Sequence, residues 1–228
     1  MKKTRGNLDV NLLCVFTIGT FLCCVCASYA ARISVHNTGA DEKPAAPAKA
    51  SATLENLMKA FDGESNAHAR YLAFAKKADE EGYGPVASLF RAVATAEEVH
   101  FKNHAAVIKE LGGAPKADVK TPDVKSTKEN LEAAVKGESY ERDTMYPEFI
   151  KAAQKEDIPP AVETFSDAAA VEAIHAKLYQ KTLSNPNSWK GGKKDFFVCP
   201  ECGNTVVAIT FEKCPVCDTP KDKFMKVN

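Results

Sequence analysis

The chain lacks any excess of charge, and it lacks cysteine throughout its middle. Its 228 residues include 30 basic and 30 acidic side chains, so the formal net charge is zero. A neutral chain offers no electrostatic attraction to nucleic acid, and a nucleic-acid partner is not expected. All eight cysteines lie near the two ends, with none between residues 27 and 198. A fold held together by disulfides is therefore not expected for the middle of the chain.

The N-terminal segment has the composition of an export signal or of a membrane anchor. Basic residues within the first five positions precede an uncharged, mainly apolar run over residues 10–31 that ends in small residues. This order is typical of a signal peptide, and Ser28-Tyr29-Ala30 is an acceptable cleavage site. The run is also long enough to span a bilayer as an uncleaved anchor. Residues 1–31 are therefore predicted to direct export or to tether the protein to a membrane, and both alternatives stay open.

Two stretches with few large apolar residues divide the rest of the chain. Residues 32–50 end in a run rich in Ala and Pro, and residues 185–195 are rich in Asn, Gly and Lys. Such compositions are typical of linkers, because they cannot bury enough apolar surface to fold. The sequence predicts a main domain over residues 51–184 and a small domain over residues 196–228.

The main domain has the hydrophobic periodicity of four helices. Apolar residues recur at three- and four-residue steps, which places them on one face of each helix. Ser126 and Glu129 form a capping box at the start of the third helix. Pro147 lies inside that helix and predicts a kink soon after Glu141. Helices are expected from about residue 53 to 82, 85 to 112, 126 to 156 and 160 to 184.

An internal repeat carries the chemistry of this domain. Gly63-Glu64-Ser65 recurs 74 residues later as Gly137-Glu138-Ser139. The motif Glu97-x-x-His100 recurs 75 residues later as Glu172-x-x-His175. The repeat therefore preserves candidate metal ligands in register, together with the apolar pattern.

The repeated carboxylates lie on core-facing stripes, where an unpaired charge is costly. A surface ion pair would explain one such glutamate. It would not explain four glutamates and two histidines that recur at matching positions in the two halves of the repeat. Because residues three apart on a helix point the same way, each Glu-x-x-His can hold one ion with both side chains. One Glu from each of two helices plus two Glu-x-x-His motifs is the pattern of dinuclear carboxylate bundles, and such ligands suit iron or manganese.

Three further side chains lie one helical turn from these candidates. Glu141 has no counterpart in the first repeat, and we interpret it as a seventh ligand on the face of Glu138. His68 and His104 are expected at the surface or behind the ligands rather than on the metal. His36 lies in the first linker and is given no role.

The C-terminal domain carries two C-x-x-C pairs, Cys199-Pro-Glu-Cys202 and Cys214-Pro-Val-Cys217. Paired cysteines on turns at this spacing indicate a tetrahedral four-thiolate metal site. A segment this short cannot fold on an apolar core alone, so a bound metal is expected to stabilise its folded state. Iron and zinc both accept this geometry.

With these motifs in place, residues 52–228 resemble the rubrerythrin family, including Met145-Tyr146-Pro147 after Glu141. The resemblance implies a mainly α fold, a ferritin-like four-helix bundle followed by a small rubredoxin-like β/loop domain. It implies two non-haem irons bridged by Glu97 and Glu172. Glu64, with Glu141 or His100, would complete the coordination of one iron. Glu138 and His175 would complete the coordination of the other. Tyr71 and Tyr146 match tyrosines behind the family's ligands, although ordinary core packing would also explain them.

The resemblance further implies a peroxidase that reduces hydrogen peroxide to water. Its electrons would come from the iron of the four-cysteine site, which a reductase of unknown identity refills. Family members form homodimers in which the rubredoxin-like module of one chain approaches the bundle of the other, and on reduction one iron exchanges the carboxylate matching Glu141 for the imidazole matching His100. The family is mostly cytoplasmic, so the N-terminus of this chain departs from it.

Two other functions use the same residues differently. A ferritin-like iron oxidase or iron-handling protein would share the bundle ligands, but it would have no use for four thiolates. A non-enzymatic zinc-ribbon binding protein would need a basic or aromatic ribbon face, to which Lys193, Lys194 and Lys213 contribute a little. That function leaves the six inward-facing ligands unexplained.

Overall fold

The structure is a computed structural model, and it describes residues 51–228. The predicted signal or anchor and the first linker lie outside these residues. Within residues 51–228, no helix is long and apolar enough to cross a membrane.

The main domain is built from long helices in the predicted order. Helix α1 begins after the N-cap Ser51, whose hydroxyl accepts a hydrogen bond from Leu54 N at 3.1 Å, and Ser126 forms the predicted capping box with Glu129. Gly82 lies just after the C-terminal end of α1 and has a φ of 76°, a conformation that glycine adopts without strain. The helices are α1 (Ala52–Glu80), α2 (Gly84–Glu110), α3 (Thr127–Tyr140), α4 (Tyr146–Lys155) and α5 (Pro159–Leu183).

The predicted kink in the third helix takes the form of a π-helical turn over Glu141–Met145, which separates α3 from α4. The Tyr146 N–H donates to the Glu141 carbonyl, five residues back. Pro147 has no N–H to donate and sits in the first turn of α4, where none is needed. The insertion therefore satisfies the backbone around the proline.

The bundle packs as two helix pairs, α1 against α2 and α3–α4 against α5. Most of its apolar interior falls into two clusters, and a third, smaller cluster joins Val171 of α5 to the cysteines of the module. The first contains Tyr71, Phe90 and Tyr179, and the second contains Leu57 and Phe165. A band of buried carboxylates and imidazoles interrupts the apolar interior.

The C-terminal module is a three-stranded antiparallel sheet in the order β2-β1-β3, with β1 at Phe196–Val198, β2 at Thr205–Val206 and β3 at Met225–Val227. Phe197 pairs with Val206 on one side and with Lys226 on the other. Phe196 and Val198 are buried and belong to the first apolar cluster of the bundle. The module therefore packs on the bundle of its own chain through shared apolar contacts.

The packing of the bundle predicts that two alanine substitutions lower the free energy of unfolding by very different amounts. Phe90 is fully buried between Phe74 and Tyr179, whereas Leu72 is 45% exposed. Phe90→Ala should lower the free energy of unfolding by about 3–5 kcal/mol, and Leu72→Ala should change it by less than about 0.5 kcal/mol. Chemical denaturation of the metal-loaded protein measures both, and equal effects would contradict this packing.

Candidate metal centre

The six candidate ligands of the internal repeat converge in the centre of the bundle. Their oxygen and nitrogen atoms form two groups, each with all members within 4.8 Å of one another. Glu97 and Glu172 belong to both groups, so they occupy the position of carboxylates that bridge two ions. The two groups are Glu64, Glu97, His100 and Glu172, and Glu97, Glu138, Glu172 and His175.

The buried ligand atoms lack the partners that a metal-free interior would require. Within residues 51–228, both carboxylate oxygens of Glu97 and one oxygen each of Glu64, Glu138 and Glu172 are buried without a hydrogen bond. His100 Nδ1 lies 2.9 Å from Glu172 Oε1 and 3.0 Å from Glu97 Oε2, but neither contact has hydrogen-bond geometry. Orphaned atoms that crowd around common points fit bound cations, because such groups are otherwise costly to bury.

The protonation behaviour of these groups reflects the same crowding. Burial, followed by repulsion from neighbouring carboxylates, raises the pKa of Glu64 and of Glu138 well above the usual range. Burial would also raise the pKa of Glu172, but His100 and His175 lower it further than burial raises it. Burial opposes the charge of His175, yet hydrogen bonds to Glu138 and Glu172 raise its pKa to about 10. Bound cations would relieve the repulsion among the carboxylates.

Glu141, the expected seventh ligand, lies outside both groups. It is 9% exposed and lines a cavity of about 570 Å³ together with Arg70 of α1. Burial, followed by repulsion from Glu172, raises its pKa to about 8. In this structure His100 therefore faces the ligand cluster while Glu141 faces the cavity, and coordination by Glu141 stays a prediction.

Two tyrosines hold the outer ligands in place. The Tyr71 hydroxyl donates to Glu138 Oε1, and the Tyr146 hydroxyl donates to Glu64 Oε1. Both rings are fully buried, Tyr71 in the first apolar cluster and Tyr146 in the second. Each tyrosine therefore combines core packing with a hydrogen bond to one candidate ligand.

The remaining histidines of the bundle differ in their surroundings. His68 is half-buried, and its Nδ1 lies 2.7 Å from the Ala94 carbonyl, away from the ligands. His104 is fully buried and contacts Tyr146 and Thr164. Thr164 and Arg70 could not be recognised from the sequence, because a lone Thr or Arg on an amphipathic helix carries no periodic signal.

The four C-terminal cysteines form a compact cluster without a disulfide. Cys199 Sγ lies 3.5 Å from Cys217 Sγ, and Cys202 Sγ lies 3.6 Å from Cys214 Sγ. A tetrahedral ion with bonds of about 2.3 Å separates its sulfurs by ~3.8 Å, so the cluster fits a four-thiolate metal. Hydrogen bonding, first from the Cys202 side chain, lowers the pKa of Cys199 to about 4, which favours the thiolate that a metal binds.

The cysteine loop of the module contacts the ligands of the bundle directly. His100 Nε2 lies 3.1 Å from the Cys202 carbonyl, and His175 Nε2 lies 3.2 Å from Thr205 Oγ1. Between them, Gly203 has a φ of 80°, and a Cβ there would meet His100 Nε2 at 2.8 Å. Only glycine fits this approach, so the backbone of the module can lie against the imidazole of the bundle. Exchange of modules between two chains, as the resemblance implies, stays a prediction.

These features define a class of protein: a ferritin-like dinuclear carboxylate bundle joined to a rubredoxin-like four-cysteine module. The rubrerythrin family profile matches residues 55–183. Nigerythrin of Nitratidesulfovibrio vulgaris is 41% identical over 189 residues, which cover 82% of this chain and 91% of that protein. Rubrerythrin-2 of Clostridium acetobutylicum is 36% identical over 182 residues, which cover 75% and 95% of the two chains.

Solved structures give the same result. Fully reduced, all-ferrous nigerythrin superposes with a TM-score of 0.72 at 38% identity, over 81% of this chain and 91% of that one. A bacterioferritin of Desulfovibrio desulfuricans superposes with a TM-score of 0.56 at 25% identity, over 59% of this chain. The chain belongs to the rubrerythrin family. Its bundle is a diiron carboxylate site, and its four cysteines form the metal site of the rubredoxin-like module.

The shifted pKa values of the buried groups predict how pH affects the stability of the metal-free protein. Glu141, with a pKa of about 8, and His175, with a pKa of about 10, keep protons that the unfolded chain has already released. The folded state therefore binds more protons than the unfolded state across this range, and stability falls as pH rises. We expect the Tm of the metal-free protein to drop by at least about 3 °C between about pH 5.5 and 8.5.

Iron-loaded protein is the control for this measurement, because metal binding holds His175 and the clustered carboxylates deprotonated and should weaken the dependence of Tm on pH. A metal-free Tm that is constant or that rises over this interval would contradict the electrostatics described for the site.

Proposed function

We propose that this protein is a peroxidase that reduces hydrogen peroxide to water at its diiron site, with electrons relayed from the iron of its rubredoxin-like module. The observation that carries the proposal is the contact between the two centres. The carbonyl of Cys202, itself a thiolate ligand, lies 3.1 Å from Nε2 of His100, a ligand of the bundle. An iron oxidase or storage protein would have no use for this connection.

The residues around the bundle fit this chemistry. When bound, two ferrous irons supply the two electrons that cleave the O–O bond. The carboxylates are hard anionic ligands that favour the more highly charged, oxidised state. Tyr71 and Tyr146 hold Glu138 and Glu64 in fixed orientations through hydrogen bonds. The oxidised product is therefore stabilised by groups that are already in position.

Access for peroxide is supported by the cavity of about 570 Å³ that Glu141 and Arg70 line. No residue of the module lines this cavity; its walls come from α1, α3, the π turn and the connection before α3. Substrate would approach from this side while electrons arrive through the Cys202–His100 contact. The two events would then not compete for the same opening.

Partners and location complete the proposal. A reductase is expected to supply electrons to the four-cysteine site, and a homodimer is expected from the family. The run over residues 10–31 favours export or a membrane tether. The donor would then have to act in the same compartment or at the membrane.

Glu97→Ala tests the diiron site as the place of reaction, because Glu97 belongs to both ligand groups. We expect peroxide turnover to fall by about 100-fold or more, since even outer partners of metal ligands are typically worth 10–100-fold. The visible spectrum of the four-thiolate iron should be unchanged, since Glu97 does not contact a cysteine ligand. Turnover is followed by peroxide consumption, and the spectrum by absorbance.

Glu98→Ala is the matched control. Glu98 is the next residue in α2 and forms a surface ion pair with Lys102 at 2.5 Å. This variant should keep full turnover. If Glu97→Ala remains as active as Glu98→Ala, the proposed site of peroxide reduction is wrong.

A further inference from the structure

A buried chain of polar groups extends from the diiron ligands toward the surface on the side of α5. His104 lies one helical turn beyond His100 in α2 and is fully buried. Its Nε2 lies 3.0 Å from the Tyr146 hydroxyl, and its Nδ1 lies 3.0 Å from the Thr164 hydroxyl. Tyr146 in turn reaches Glu64. Both nitrogens of this imidazole are therefore engaged with hydroxyl groups.

The hydrogen-bond directions along this chain are fixed by its inner end. The Tyr146 hydroxyl donates to Glu64 Oε1, so its oxygen accepts from His104 Nε2–H. A neutral imidazole with its proton on Nε2 leaves Nδ1 as an acceptor, which the Thr164 hydroxyl satisfies. All three donors therefore point the same way, from Thr164 toward Glu64.

His104 is in the state that such a chain requires. Burial, followed by repulsion from His100, lowers the pKa of His104 to about 3. The imidazole is consequently neutral at physiological pH. A neutral imidazole can take a proton at one nitrogen and release the proton held at the other, which makes it a shuttle.

The outer end of the chain reaches solvent. Thr164 is half-buried and lines a cavity of about 400 Å³ between α2, α5 and the module. The exposed side chains of Glu110 and Glu163 also line this cavity, so it opens to the surface. Water in the cavity can therefore reach the Thr164 hydroxyl.

We propose that Thr164, His104 and Tyr146 form a proton relay that carries protons from this cavity to Glu64. The relay rests on the proposed function, because reducing hydrogen peroxide breaks one O–O bond and consumes two electrons and two protons to give two waters. Bound irons would supply the electrons. A hydronium ion or buffer acid in the cavity gives a proton to the Thr164 oxygen, whose own proton passes to His104 Nδ1. His104 Nε2 gives its proton to Tyr146, and Tyr146 gives its proton to Glu64 Oε1, which passes it to a peroxide oxygen. The hydroxyls and the imidazole then return to their first orientation and carry the second proton.

A purely structural network would make the same contacts, so the test must observe proton movement. Thr164→Val keeps the shape of the side chain and removes the outermost hydroxyl, while Thr164→Ser keeps the hydroxyl. In zinc-loaded protein, which is diamagnetic and inert toward peroxide, NMR can follow exchange of the Tyr146 hydroxyl proton with water. We expect Thr164→Val to slow this exchange by at least about tenfold and Thr164→Ser to restore it.

Ser166→Ala is the matched control, because Ser166 also carries a hydroxyl on α5 but donates it to the Val162 carbonyl at 2.6 Å. It should leave the exchange rate unchanged. Equal rates in the parent protein and in Thr164→Val would overturn the relay.

Iron-loaded protein gives the second measurement, oxidation of the diferrous protein by peroxide in a single turnover. Thr164→Val should slow this step by at least about tenfold with a larger solvent isotope effect, and Thr164→Ser should recover the rate. A rate and isotope effect that Thr164→Val leaves unchanged would overturn the relay as the proton source. If zinc-loaded protein shows the expected exchange but iron-loaded protein does not reduce peroxide, the relay stands and the proposed function falls.

Discussion

The cost of burying acidic side chains governs this structure. Glu64, Glu97, Glu138 and Glu172 are at most 1% exposed in the centre of a helical bundle. Carboxylates in such a place are stable only when cations or protons compensate them. The two histidines compensate part of the charge, and the orphaned oxygens mark where bound iron supplies the rest. The bundle is thus divided into two apolar clusters because its centre is reserved for metal.

The rest of the architecture supports this centre. Glu141 begins the π turn and faces the cavity rather than the ligand cluster. The module shares an apolar cluster with α2, and Gly203 allows its cysteine loop to lie against His100. The cysteine loop and the cavity that Glu141 lines approach the same four-helix core at different places, and the polar chain through His104 opens to a cavity beside the module. Each uses a separate feature of the sequence.

The helices and the ligand grouping could be predicted from the sequence because both depend on local spacing. The repeat that relates Glu97 and His100 to Glu172 and His175 fixes which side chains share a face, and the cysteine pairs fix their own geometry. Other features depend on how helices rotate and dock. The burial of His104 and its contact with Thr164 are set by the rotation of α2 against α5, for which no spacing rule exists. Pro147 predicted a kink, but it did not predict that the kink would be a π turn beginning at Glu141.

The most direct test of the central claim is an anaerobic redox experiment on protein purified without added metal. We expect about three irons per chain, two for the bundle and one for the module. The thiolate-to-iron colour should bleach on reduction and return when hydrogen peroxide is added, because under the proposed function peroxide would oxidise the diiron site and that site would then draw an electron from the module. Zinc in the four-cysteine site, or a reduced iron there that peroxide leaves colourless, would contradict an electron relay to a peroxide-reducing centre.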